Sequence, residues 1–187
     1  VKLNVDGTAK TFRIIQQGSP STDVYGNASD GTWVLGPAAT ITELERNTQY
    51  PDSFRHSYLS NTYFQMLDDG IKNSIRQIDL PYNGNLKTSA KIFVLSSTEL
   101  GDKNKGYYLA TAGIMLSYFS PGQSDSAFWF PEPCNSRLLS DYGGGWTRDI
   151  YRNGDGCYIT RLTSDDEYAT TKRIPTSGSA TVYPTMV

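Results

Sequence analysis

Histidine is nearly missing from this 187-residue chain, which has only His56, and cysteine is limited to Cys134 and Cys157. One imidazole gives no basis for a His-rich metal site or for a conventional nucleophile and base pair. Two distant thiols are too few for a disulfide framework or a multi-thiolate metal centre, so they read as small semi-buried residues or as one bridge, and the redox compartment stays open. Neither sign of charge is in excess. The 17 basic and 19 acidic residues leave a formal net charge of -2 with no basic stripe to neutralise phosphates, so nucleic acid is not an expected partner. No apolar run approaches the roughly 20 residues of a helical membrane span, so no membrane insertion is expected. A Gly-x-Ser-x-Gly elbow and an Asp-x-Asn-x-Asp-Gly loop are both missing, which removes the sequence support for serine hydrolysis and for calcium. No cofactor and no metal are expected.

What is present is aromatic and polar. There are 13 Tyr against 7 Phe and 3 Trp, so the aromatic content favours rings with a polar handle. With 37% hydrophobic residues the chain can bury a sizeable core, and residues 1-187 read as a single domain. The sequence opens on Val1, so a piece of a longer protein, its C-terminal part, is expected.

Strand-like alternation around Asp6-Gly7, with Leu3 and Val5 before it and Phe12, Ile14 and Ile15 after it, predicts an opening hairpin over residues 1-17. Turn chemistry from Gly18 to Gly31 predicts a long loop, followed by a strand at Thr32 to Leu35. Between Pro51 and Arg76 the period changes. Phe54, Tyr58, Leu59, Tyr63, Phe64 and Leu67 share an apolar face, and Asp68-Asp69 can cap a segment carrying Ile71 and Ile75, so two helices follow, the second short. Gln77 to Leu80 reads as a strand stopped by Pro81, and Ala90 to Ser96 as the strongest strand, apolar enough for the centre of a sheet. Gly113 to Phe119 could form one short helix in a second half of loops and short strands, among them Cys157 to Leu162 and Thr181 to Met186.

The mixture at Tyr151, Arg152, Asn153, Asp155, Tyr158, Arg161, Asp165, Asp166, Glu167 and Tyr168 combines amphipathic rings with adaptable hydrogen-bonding groups, the chemistry of a contact surface. The bland alternative is a solvated loop whose tyrosines half-pack on the domain. Trp33, Trp129 and Trp146 read as packing residues, and Trp146 as framework. Arg148 is expected to tie loops together through its fixed fork of donors. His56 reads as a helix-face or interface residue. Glu132, Asp141 and Asp149 are carboxylates of the kind a glycosidase uses, without any pattern that selects them.

Several segments resemble a domain family of unknown function found in gut bacteria of the Firmicutes type and in their phages. They are Asp30 to Leu35, His56 to Phe64, Ile75 to Tyr82, Ser89 to Gly101, and Trp146-Thr147-Arg148. The family's Trp-x-Arg-Ser-Pro motif here reads Trp146-Thr147-Arg148-Asp149-Ile150, and its closing Gly-Val-Arg-Pro segment reads Thr181-Val182-Tyr183-Pro184. Both departures are expected at a display surface. The Trp-rich second half closed by a strand also resembles the C-type-lectin-like fold of phage receptor-binding proteins and of variable proteins diversified by retroelements. That resemblance implies an α+β class, with two helices packed on a small, mainly antiparallel sheet and a loop-rich second half.

The expectation that follows is a non-enzymatic receptor-binding or adhesin module, on a phage tail or a bacterial surface or secreted, whose residues 146 to 170 contact a cell-surface protein or glycan. A homo-oligomer is possible in the alternative reading, a structural virion subunit with Ala127-Phe128-Trp129-Phe130-Pro131 as its seam. A glycan-acting enzyme comes third.

Overall fold

A computed structural model describes residues 1-41, 49-100, 112-120, 145-150, 157-162, 169-173 and 180-187. Its architecture is broadly α+β, a few short helices with several small antiparallel sheets. The chain begins with the hairpin β1 (Lys2–Val5) and β2 (Thr8–Thr11). Its two-residue turn places Asp6 at φ 52° and Gly7 at φ 69°, the left-handed pair that matches the twist of a tight hairpin. Strand β3 (Arg13–Gln17) pairs with β4 (Thr32–Leu35).

The expected loop between them contains α1 (Thr22–Tyr25) and a 3₁₀ turn at Asn27–Ser29. Ser21 caps α1 by accepting from the Val24 amide, and the helix serves to bury Tyr25. Trp33 is fully buried, edge-on to Tyr25 at 5.0 Å and to Phe93 at 5.6 Å, with its indole N–H donating to the Ser29 carbonyl. Those three rings centre the core.

After β5 (Ala39–Ile41), helix α2 (Phe54–Ser57) runs directly into a π-helical turn at Tyr58–Tyr63, and α3 (Asp69–Ser74) follows. Leu59, Tyr63 and Leu67 bury the predicted apolar face. Strands β6 (Ile78–Asn83) and β7 (Leu86–Ala90) form a ribbon that continues through Pro81 instead of stopping there. A two-stranded ribbon leaves alternate amides outside the ladder, where proline loses nothing. Its turn, Gly84-Asn85, has positive φ at Gly84 alone.

Of the expected Ala90 to Ser96 strand, Ala90 closes β7 opposite Ile78 and only Ile92–Phe93 form a further strand, β8. It lies at the edge, not the centre, of the four-stranded order β3-β4-β13-β8, and the centre is taken by the C-terminal strand β13 (Thr185–Met186). Beyond Phe93 the backbone finds other partners. The Val94 amide donates to Tyr50 Oη, the Ser96 amide to Glu99, and the Ser97 amide to Asp149. Residues 94-97 are buried without a sheet because side chains satisfy their backbone.

Strands β8 and β13 are adjacent, with Phe93 opposite Thr185 and Ile92 opposite Met186. Everything from residue 94 to residue 184 therefore departs from and returns to one sheet. Within that excursion, β9 (Gly145–Ile150), β10 (Cys157–Leu162) and β11 (Ala169–Arg173) form an antiparallel sheet in the order β11-β10-β9. Strand β12 (Ala180–Val182) pairs with β5 just before β13. The short helix expected at Gly113 to Phe119 is reduced to a 3₁₀ turn at Ser117–Phe119, since Gly113 sits at φ 86°.

Candidate functional site

Where β9 meets residues 94-100, the protein buries four ionisable side chains, Arg55, Glu99, Arg148 and Asp149, each with no solvent exposure. Fully buried charges are rare unless paired, so their partners decide what the cluster does. Arg148 Nη1 donates to Glu99 Oε2 at 2.6 Å and Nη2 to Glu99 Oε1 at 2.5 Å, a two-pronged pair. Its Nε donates to the Pro81 carbonyl at 2.7 Å, and Nη1 also donates to the Val94 carbonyl at 2.8 Å. The guanidinium thus ties β9, the β6 strand and the segment after β8 to one carboxylate.

Glu99 is satisfied from its other side as well. Tyr25 Oη donates to Oε1 at 2.6 Å and the Ser96 amide to Oε2 at 3.0 Å. Burial raises the Tyr25 phenol far above its ordinary value, and the neighbouring Glu99 charge adds to the rise. Tyr25 is therefore a neutral donor. Arg148 stays charged: burial alone would lower it, but Glu99 raises it above the usual guanidinium value. Asp149 accepts from the Ser97 amide at 2.7 Å. Burial raises its carboxyl, opposed by hydrogen bonds from Thr147 and Ser97 and by the Arg148 charge. Arg55 donates through Nη1 to the Thr147 carbonyl, so α2 also grips β9.

Two guanidinium groups and two carboxylates balance when all are ionised. The Arg148 and Glu99 pair fixes geometry, since a change of either partner strands the other's charge. Asp149 is sealed from solvent and held by the Ser97 amide, which is not the setting of an accessible general acid. Among the described residues, no three His, Cys, Asp or Glu side chains gather where they could hold a metal ion.

The residues read from the sequence as a contact surface fall as follows. Tyr158 and Arg161 are on β10, opposite Arg173 and Thr170 of β11. Trp146 is on β9 opposite Ile159. Tyr151, Arg152, Asn153, Asp155, Asp165, Asp166, Glu167 and Tyr168 lie outside the described residues, as do Trp129 with its aromatic cluster, Cys134, Glu132 and Asp141. His56 lies on α2, half-buried, with its ring 5.2 Å from that of Tyr50.

One expectation is corrected. The two places where the chain departs from its relatives' motifs are not displayed: Thr147, Arg148 and Asp149 are buried, and so are Val182 through Met186. The polar groups there are satisfied inside the fold, and β13 is enclosed between two other strands. Sequence reading missed Glu99, Tyr25 and Arg55 as members of this cluster. An acid following the apolar run Ile92 to Leu95 was the available signal, because a carboxylate next to a buried segment demands a cation.

Residues 30–159 match the family model of a domain of unknown function, DUF6273, and the chain belongs to that family. The matched span contains both Glu99 and Arg148. No curated protein and no solved structure matches the chain.

Proposed function

We propose that this protein is a non-enzymatic recognition module of C-type-lectin-like type, carried by a phage tail or a bacterial surface protein, that binds a cell-surface protein or glycan. The contact residues are Tyr151, Arg152, Asn153, Asp155, Tyr158, Arg161, Asp165, Asp166, Glu167 and Tyr168. The observation that carries this reading is the Arg148 to Glu99 clamp. It fixes β9 to the body of the protein by two hydrogen bonds between fully buried groups, directly before the segment that holds the contact residues. A body ordered in advance lowers the entropy that a binding face loses on contact and lets its residues vary without unfolding the domain. The departure and return of residues 94-184 at adjacent strands supports the lectin-like reading, since it makes the second half one large excursion from a single sheet.

The test is a glycan-array and whole-cell binding screen of the intact chain beside a triple variant, Tyr151→Ala, Tyr158→Ala and Tyr168→Ala. Loss of binding in a variant with an unchanged thermal melt is the expected result. Retained binding sinks the proposal. Diversification by a retroelement predicts a near-identical template copy in neighbouring DNA, differing mainly at adenines.

A further inference from the structure

Four steps of Asp or Asn followed by Gly fall among the described residues: Asp6-Gly7, Asp30-Gly31, Asp69-Gly70 and Asn83-Gly84. At such a step the glycine nitrogen can attack the side-chain carbonyl carbon of the residue before it, because no Cβ crowds the approach. An ionised carboxylate repels that attack, whereas a neutral carboxamide does not, and asparagine is accordingly among the thermolabile side chains. Asn83 therefore starts with the chemical advantage.

The fold adds to it. The Gly31 amide already donates to the Ser29 carbonyl at 2.9 Å, and a Cβ there would meet Val187 Cγ1 at 2.9 Å, so that backbone has no room to turn. Gly70 lies within α3, and Asp6 is fastened by its own amide to the Met66 carbonyl at 2.7 Å. The Asn83 step is open. Asn83 ends β6 opposite Leu86, but the ladder skips Tyr82, so a bulge separates this closing pair from Pro81 opposite Lys87. One pair beyond a bulge opens without disturbing the ladder behind it. Gly84 is exposed at φ 57°, and a Cβ there would meet nothing within 4 Å. Among the described residues, none hydrogen-bonds the Asn83 side chain or the Gly84 amide.

We propose that Asn83 is a site of spontaneous deamidation and isoaspartate formation, with water as the co-reactant. The Gly84 nitrogen bonds to Asn83 Cγ and gives its proton to solvent, while the side-chain nitrogen takes up a proton and leaves as ammonia, closing a succinimide. Water then adds to either imide carbonyl. Breaking the new Cγ–N bond gives aspartate. Breaking the original peptide bond to the Gly84 nitrogen gives isoaspartate, whose backbone runs through Cγ and is longer by a methylene. Nothing is oxidised or reduced: amide and water become carboxylate and ammonium. Either product puts a negative charge into the turn whose Gly84 and Asn85 line a groove of about 350 Å3 with Asp23 and Lys87. The site is separate from the contact residues proposed above and stands whether or not they bind a ligand.

The test is incubation of the intact chain, folded and in parallel unfolded in urea, in mildly alkaline buffer made with heavy-oxygen water. Peptide mapping with electron-transfer fragmentation then locates the incorporated oxygen and tells isoaspartate from aspartate. The folded protein should take up label at Asn83, with isoaspartate present, at a rate within about tenfold of the unfolded chain, because only the closing pair has to open. Asn83→Gln, which would need a larger ring, should lose the label from this peptide. Gly84→Ala, which crowds the attacking nitrogen, should lose most of it. The proposal is overturned by a folded rate below that range, by label confined to Asn153-Gly154, or by a Gly84→Ala protein labelled at Asn83 as fast as the wild type.

Discussion

Arg148 and Glu99, 49 positions apart, meet through two hydrogen bonds of 2.5 and 2.6 Å with both side chains sealed from solvent. Removing one member leaves the other charge buried without its partner. Glu99→Gln or Arg148→Met alone should therefore cost about 3–5 kcal/mol in urea unfolding. The double variant Glu99→Gln, Arg148→Met should cost less than the sum of the two. Additive losses would mean that the pair is not energetically coupled.

Gly113 is held at φ 86° against Tyr25 and Glu99. Gly113→Ala adds both backbone strain and a collision, for an expected loss of about 2–3 kcal/mol. Combining it with Tyr25→Phe removes the nearest oxygen, so the second change should cost less in the Gly113→Ala background than in the wild type. Thermal melts of the four proteins decide the matter, and equal costs in both backgrounds would refute the contact.

Burial lowers the His56 imidazole below its ordinary value of 6.5, with Asp52 opposing the shift. The unfolded chain therefore binds a proton near that pH more readily than the folded protein does. Stability from this group rises with pH through the interval below 6.5 and is lost on acidification. Because His56 is the only histidine, His56→Phe should flatten the stability profile between about pH 5 and pH 7 while keeping the ring contact with Tyr50. Parallel profiles for the two proteins would contradict this assignment.

Met186 is 2% exposed and lies in the strand that joins β4 to β8. Met186→Ala should cost about 2–4 kcal/mol, the usual range for emptying a packed site. Deleting residues 185-187 should abolish cooperative unfolding by calorimetry, because β4 and β8 have no ladder between them without β13. A sharp transition in the truncated protein would show that the sheet closes another way.

Much of the fold was legible in local patterns. Asp6-Gly7 gave the hairpin turn, Thr32 to Leu35 the strand, and the Phe54 to Leu67 spacing the helical face, because each depends on neighbours in sequence. Ala90 to Ser96 misled for a physical reason. An apolar run announces burial, but whether its amides join a ladder depends on competitors such as Tyr50, Glu99 and Asp149 that arrive from elsewhere. The cluster around Arg148 was legible only in part. Its arginine suggested a tie, yet the Pro81, Val94 and Glu99 partners are joined by topology alone.

The placement of β13 between β4 and β8 also sets a schedule for synthesis. At ordinary translation speeds, on the order of ten seconds separate the emergence of Phe93 from that of Met186. Throughout that interval β4 and β8 lack the strand that pairs with both, so their four-stranded sheet cannot be completed before Met186 emerges. Joining β4 to β8 is thereby a late event in the order of the chain.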